Sequence, residues 1–306
     1  MLTDAITIAA RHFGLACSAT PLPSERDQNF LLRTSAGARF ILKAANANER
    51  LEVLEAECAV MHHLAPTGLT PQVVRTSDGR EIASDEGHYV RVITALPGQT
   101  LGSTPLHTDA LRRNIGRALG RLDRALATFD HPAFHRDFHW DLANADRVVR
   151  ELLPLVSDGA LAANIRTMAE YHAAHVVPTL GEFRRSVIHS DANDYNILVD
   201  ETLQQVTGVV DFGDMVYSHT VNDVAIAMAY VALSAQDPLA AAATVAAGYH
   251  QTHPLTEPEI AALFPLMCMR LCVSACVAAK QQAERPEDDY LGISQGPIAM
   301  TLPVLA

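Results

Sequence analysis

His189-Ser190-Asp191-Ala192-Asn193-Asp194-Tyr195-Asn196-Ile197-Leu198-Val199, followed by Val209-Val210-Asp211-Phe212-Gly213-Asp214, is the stretch that decides how this chain folds. It sets Asp191, Asn196 and Asp211 in the order and spacing that kinase-type phosphoryl transfer requires. In that chemistry an Asp in a catalytic loop accepts the proton of the attacking hydroxyl. A following Asn holds one Mg2+, and the Asp of a later Asp-Phe-Gly holds the other. Asp191 is therefore the expected catalytic base, and Asn196 and Asp211 are the expected metal ligands. The flanks agree. Val187-Ile188 leads into the loop, Ile197-Leu198-Val199 reads as a short apolar strand, Val206 to Val210 as a second, and Asp200-Glu201-Thr202 as the turn between them. The metal ligands are expected on a rigid β-hairpin.

Upstream of this stretch the pattern is different. A helix over residues 3–14 precedes a turn at Pro21-Leu22-Pro23-Ser24. Gln28 to Thr34 and Arg39 to Ala44 alternate around Ser35-Ala36-Gly37, which reads as a hairpin. Asn48 is placed to cap a helix running to Leu64, with Leu51, Leu54, Cys58, Met61 and Leu64 at helical spacing. Further strands are expected over 72–76, 80–84 and 89–95. After Pro97-Gly98 the chain turns helical, over residues 107–128, 139–152, 156–175, 219–234, 239–252 and 257–284. The expected fold class is α+β: a bilobal protein-kinase-like fold with a β-rich N-lobe over residues 1–95 and a mostly helical C-lobe over residues 96–306.

The N-lobe supplies a second part of the constellation. Lys43 ends the strand Arg39-Phe40-Ile41-Leu42-Lys43. A lysine there reaches the α- and β-phosphates of a nucleotide and is held by a Glu of the next helix. Helical phase puts Glu57 close to the apolar face of Leu54, Cys58 and Met61, so Glu57 is expected inside and Glu52 outside. A lone lysine at a strand end is ordinarily solvated. The downstream metal residues are what favour the phosphate role.

Composition limits the alternatives. The chain has 306 residues, with 23 Lys and Arg against 35 Asp and Glu, a formal net charge of −12. That argues against nucleic acid, which needs a basic footprint. Residues 1–10 carry Asp4 and no basic segment, unlike a secretory signal, and the Ala-rich stretches over 225–235 and 239–247 are too short to span a bilayer. No membrane partner is expected. Five cysteines without CxxC spacing read as reduced thiols of a cytoplasmic protein. Cys268, Cys272 and Cys276 share one helix face, as a buried stripe of small residues does.

The chain resembles the aminoglycoside phosphotransferase/choline kinase superfamily of small-molecule kinases. His189-x-Asp191-x-x-x-x-Asn196, Asp211-Phe212-Gly213-Asp214, Lys43 and the hinge-like Arg91-Val92-Ile93-Thr94-Ala95-Leu96-Pro97-Gly98 carry the resemblance. Within the superfamily it is most similar to the hydroxylysine kinases, through Asp27-Gln28-Asn29-Phe30, His88-Tyr89-Val90-Arg91, Leu96-Pro97-Gly98 and Asp211-Phe212-Gly213-Asp214-Met215. The resemblance implies ATP or GTP as co-substrate with Mg2+. It implies a nucleotide site that includes Lys43, Glu57, Asn29, Thr94 and Leu96. It also implies a small hydroxylated amine or amino acid as acceptor, 5-hydroxylysine first and an aminoglycoside, homoserine or choline-like compound as the alternative. Two departures stand out. Ser190 occupies a position where the superfamily has Gly, which costs backbone strain. The loop Ser24-Glu25-Arg26-Asp27-Gln28-Asn29, expected to cover the phosphates, contains no glycine.

Acceptor residues are sought by charge. Asp214, Asp223 and Asp141 are candidate partners for ammonium groups, and Trp140 beside Asp141 is a candidate wall of the acceptor pocket. Arg270, inside an apolar helix, is either a fork for an acceptor carboxylate or one half of an internal ion pair. His135 and His139 would share a face on a helix, as zinc ligands can, but no Glu follows the first His. His219 reads as structural. A Ser-His-Asp hydrolase lacks its nucleophile elbow. A non-catalytic nucleotide-binding pseudokinase is the reading from another class. Asp191, Asn196, Asp211 and Lys43 together speak against it.

Overall fold

Alternation of apolar and polar residues builds the sheet of the N-terminal unit, as the computed structural model describes it over residues 4–24, 27–104, 107–233, 235–284 and 295–305. The chain divides into Met1–Pro97 and Gly98–Ala306. In the first unit, α1 (Ala5–Phe13) starts at Asp4, whose Oδ1 accepts from the Ile6 amide at 3.0 Å. It stops at Gly14, whose φ of 63° is left-handed and suits glycine. Then follow β1 (Cys17–Leu22), β2 (Gln28–Thr34), β3 (Arg39–Ala44), α2 (Leu51–Leu64), β4 (Val73–Val74), β5 (Ala83–Asp85) and β6 (His88–Thr94). The antiparallel sheet runs β1-β2-β3-β6-β4, with β5 also on β6. Ile8 and Phe13 of α1 pack on Leu32, Leu42, Val90 and Val92 of the sheet.

Several elements differ from the sequence reading. The sequence suggests a turn at residues 21–24 and no strand before it, whereas β1 runs through Pro21 to Leu22. Pro21 is tolerated because β1 is an edge strand, where a missing N–H costs no ladder bond. Asn48 caps nothing. Its amide donates to Asn46 Oδ1 at 3.0 Å, and α2 starts at Arg50 without a side-chain cap. Glu25 and Arg26 of the glycine-free loop lie outside the described residues. Its far end is pinned where Asp27 Oδ1 accepts from the Asn46 amide at 3.1 Å.

The second unit carries β7 (Gln99–Thr100), α3 (Asp109–Leu126), α4 (Ala145–Leu152), α5 (Gly159–His175), β8 (Arg185–Ile188), β9 (Ile197–Val199), β10 (Val206–Val209), β11 (Val216–His219), α6 (Val221–Leu233), α7 (Pro238–Thr252), α8 (Glu257–Glu284) and α9 (Gln295–Leu305). β9 and β10 are the expected hairpin, extended by β7. β8 and β11 form a second small sheet that the sequence reading did not contain. Residues 139–144 are not helical as expected. They are a loop and a short 3-10 turn that starts at Asp141. Hence His135 and His139 do not share a helix face, and His135 instead stacks on Tyr217 at 4.3 Å.

α3 and α7 meet backbone to backbone. A methyl group at Gly248 would lie 2.0 Å from the Arg113 carbonyl oxygen, and one at Gly116 would lie 2.0 Å from that of Val245. Only glycine allows this approach. α8 is long and apolar enough to cross a membrane by length and composition, yet 83% of its apolar stretch is buried within the protein. Cys268, Cys272 and Cys276 lie along it as buried free thiols, and burial pushes Cys268 and Cys276 up to about 12.

Candidate active site

The catalytic loop leaves β8 at Ile188 and must turn at once to bring Asp191 to the surface of the unit. Ser190 makes that turn at φ 66°, and Asp211 sits at φ 65°. Left-handed backbone is costly for any residue with a Cβ and clusters where function demands it. Buried partners hold the loop in place. Asp223, on the first turn of α6, accepts the His189 amide at 3.0 Å and the Ser190 amide at 2.7 Å. His189 Nε2 donates to the Val210 carbonyl at 3.1 Å, and its Nδ1 accepts the Asp191 amide at 3.3 Å. The imidazole thereby ties the loop to the residue just past β10, with the Phe212 ring in a T-shaped contact at 5.1 Å.

Asp191 emerges half-enclosed, its side chain 19% exposed. Oδ1 accepts from Arg270 Nη2 at 2.6 Å. Oδ2 accepts from Asn193 Nδ2 at 2.9 Å and Asn196 Nδ2 at 2.7 Å. A carboxylate has about four acceptor positions, so roughly one remains for an incoming hydroxyl. Burial pushes Asp191 up to about 7. Arg270 opposes the rise, and Asp214 and Asp211 add to it. A base near neutrality is well matched to proton transfer at physiological pH, and a cation nearby would draw it down again.

Arg270 was left open between two readings. The geometry here is an ion pair, and its partner is the expected base. Its guanidinium is 2% exposed, lies 4.8 Å over the Trp140 ring and 5.5 Å from the Tyr230 ring, and donates to the Trp140 carbonyl at 3.4 Å. Trp140 is thus brought to the base through Arg270.

The other acceptor candidates diverge. Asp214 is buried close enough to Asp191 to act on it electrostatically. Asp223 is fully buried, with both oxygens on loop amides, and so holds the loop rather than facing an ammonium. Asp141 is a cap. Its Oδ1 accepts from Ser218 Oγ at 2.5 Å and from the Ala143 amide at 3.0 Å, and burial raises its pKa. His219 is buried and pushed down to about 4 by burial and Arg185.

The residues suit a magnesium ion. Asn196 donates its amide nitrogen to the Asp191 carboxylate and to the Asp191 carbonyl at 2.9 Å, which leaves its carbonyl oxygen as the atom for a cation. Among the described residues no three His, Cys, Asp or Glu side chains form a ready cage. Mg2+ needs none, since it keeps waters and substrate phosphates and takes only one or two protein ligands.

In the N-terminal unit, register makes Lys43 the cross-strand neighbour of Asn29 on one side and Arg91 on the other. Of the three glutamates on α2, Glu57 is buried while Glu52 and Glu55 are exposed. Glu57 pairs with Arg91, a residue that the sequence places in the hinge and in the run His88-Tyr89-Val90-Arg91 but does not mark as a partner of Glu57. Asn29 Oδ1 is buried without a hydrogen bond. Thr94 Oγ1 accepts the Gln72 amide at 2.9 Å, and Leu96 lies half-buried just beyond β6. Two supporting residues were missed. Asn193 orients both Asp191 and Asn196, its Oδ1 accepting the Asn196 amide at 3.1 Å. Arg136 Nη2 donates to the Gly213 carbonyl at 2.7 Å and the Met215 carbonyl at 2.8 Å, fixing the chain after Asp211. An Asn two residues past the base was a readable signal. Arg136 offered none.

A kinase-type fold with a catalytic Asp-Asn loop and a following Asp-Phe-Gly defines an enzyme that phosphorylates a hydroxyl group of a small molecule. The chain belongs to the phosphotransferase enzyme family, whose pattern spans residues 18–263. It is 32% identical to the hydroxylysine kinase of Mus musculus over an alignment 304 positions long, which covers 90% of this chain and 80% of that protein. It is 26% identical to the homoserine kinase of Zymomonas mobilis over 79% of this chain and 73% of that one. A microcompartment-associated aminopropanol kinase shares the fold at a TM-score of 0.77 and 17% identity, over 97% of this chain and 94% of that one.

Proposed function

We propose that the protein transfers the γ-phosphoryl group of ATP or GTP to the side-chain hydroxyl of a free amino acid, 5-hydroxylysine, in the cytoplasm. The carrying observation is the Asp191 carboxylate, held by Arg270, Asn193 and Asn196 with one acceptor position open. In this reading Asp191 takes the hydroxyl proton as the oxygen attacks phosphorus. Asn196 and Asp211 hold Mg2+, which neutralises the phosphate oxygens. Residues 1–95 bind the nucleotide, with Lys43 on the phosphates, Glu57 behind it, and Asn29, Thr94 and Leu96 around the remainder. Residues 96–306 bind the acceptor, with Asp214 facing an ammonium group and Trp140 forming a wall. The choice of acceptor is supported by the hydroxylysine kinase of Mus musculus. The homoserine kinase relative supports a second reading, homoserine, which is also an amino acid with a side-chain hydroxyl.

The test is release of nucleoside diphosphate from purified protein with Mg2+ and each nucleotide, over 5-hydroxylysine, homoserine, an aminoglycoside, choline and lysine. Turnover is expected to be highest with 5-hydroxylysine and absent with lysine, which lacks the hydroxyl. Preference for homoserine would move the assignment to the second reading. Release without regard to acceptor would remove both.

A further inference from the structure

Behind the catalytic loop lies a chain of buried polar groups that takes no part in the proposed chemistry. Asp223 holds the two loop amides. Asp123, in α3, lies beside Asp223, close enough to act on it, and the Tyr249 hydroxyl of α7 donates to Asp123 Oδ2 at 2.5 Å. Both aspartates are wholly buried. Two adjacent carboxyls in a dry interior cannot both be charged, and a hydrogen bond between them needs one proton. Asp223 already uses both oxygens as acceptors for amides. Asp123 Oδ1 is buried with no hydrogen-bond partner among the described residues, so it is the atom left to carry a proton toward Asp223.

We propose that Asp123 is a positioning residue for the catalytic loop: a neutral carboxylic acid that donates to Asp223 and thereby fixes the amides of His189 and Ser190 beneath Asp191. Burial and the neighbouring Asp223 push Asp123 well above the ordinary carboxylate range, against the pull of the Tyr249 hydroxyl and Arg184. The other titratable and charged groups around it do not displace the proton. Tyr249, of α7, is itself pushed well above its ordinary value by burial and by Asp123, so it stays a donor. Arg184, just before β8, is committed to Glu259 of α8, Nη2 to Oε2 at 2.6 Å and Nε to Oε1 at 2.9 Å. His253, the residue that caps the end of α7, lies with its Nε2 3.2 Å from Arg184 Nη1 and is held down by burial and by that charge. His189 faces Asp223 through its backbone amide.

A carboxyl that keeps its proton when folded and loses it when unfolded makes folding take up a proton. Stability is then full below the ordinary carboxylate range and falls as pH rises toward the folded value. Asp123→Asn keeps a donor for Asp223 and an acceptor for Tyr249, and cannot titrate. In urea unfolding followed as pH rises above the ordinary carboxylate range, its folding constant should gain steadily on that of the parent, by up to about tenfold per pH unit, until the folded value is reached. Asp123→Ala, which removes the donor, should lower kcat with both KM values held, and Asp123→Asn should recover much of that loss. A stability gap that does not change with pH, or an Asp123→Asn chain that fails to fold, would overturn the proton on Asp123. Equal kcat in the Ala and Asn variants would overturn positioning. The positioning half rests on Asp191 as the base. The stability slope does not, so an error in the proposed function leaves the slope intact while removing the kcat effect.

Discussion

Among the described residues, each unit of this protein has an arginine–carboxylate pair whose arginine is buried, and the two are built to different ends. In the N-terminal unit Arg91 and Glu57 are sealed on both sides, at 4% and 3% side-chain exposure. In the C-terminal unit Arg270 is as deeply buried, but its partner Asp191 keeps 19%. A closed pair holds its elements together and offers no open position to a reactant. It repays its desolvation through geometry, and removing one partner strands a charge. A pair with one open flank still has an acceptor position to offer. The same side-chain chemistry is a strut in one place and, under the proposed function, a mount for a reactive group in the other.

Exchanging the carboxylates for amides tests this contrast most severely. Asp191→Asn keeps the shape and loses the base, so kcat should fall by about 10²–10⁴-fold with nucleotide KM little changed. A variant with altered KM and parental kcat would remove Asp191 from the proton path. Next in size is Arg91→Met, which takes a buried arginine away from the buried Glu57 and should cost up to about 3–5 kcal/mol of stability, read as a lower urea midpoint. Arg270→Met should do the reverse. Asp191 can still reach water, so the melting temperature should move less than in Arg91→Met, while loss of the base's alignment should lower kcat by about 10²-fold. If Arg270→Met chiefly unfolds the protein and Arg91→Met chiefly slows it, the two pairs have been assigned the wrong way round. The smallest effect belongs to Ser190→Gly. It relieves a left-handed residue whose buried hydroxyl has no partner. Strain relief of about 1–2 kcal/mol, less the entropy that glycine adds to the unfolded chain, should leave a gain near 1 kcal/mol, a slightly higher melting temperature and unchanged KM. A melting temperature that falls would mean that the serine contributes packing.

The sequence was most legible where chemistry fixes residue type and spacing together. Asp191, Asn196 and Asp211 could be placed on a loop and hairpin because β9 and β10 are short apolar runs flanked by turn residues. The inward-facing Glu57 followed from helical phase. Partners across long sequence separations were not legible. Nothing in the run around Arg270 announces Asp191 as its partner, nor does the strand around Arg91 announce Glu57, because both contacts depend on how elements pack. Local ambiguity explains the missed strands. Pro21 reads as a turn unless its strand is known to be an edge. β8 and β11 are so short that only their pairing with each other identifies them. Asp223 and Asp141 were read as acceptor contacts from charge alone, and charge does not distinguish a carboxylate that meets a ligand from one that meets backbone amides.

The close approach of α3 and α7 has a consequence for how this protein tolerates inherited change. Any substitution at Gly248 adds a side chain facing the Arg113 carbonyl at 2.0 Å, and α7 has to retreat to make room. The next residue along α7 is Tyr249, whose hydroxyl reaches Asp123. A single extra methyl group there would therefore travel along Tyr249, Asp123 and Asp223 to the loop that carries Asp191. In a saturation library scored for growth or turnover, position 248 should be as intolerant as a reactive residue, although the glycine touches no reactant.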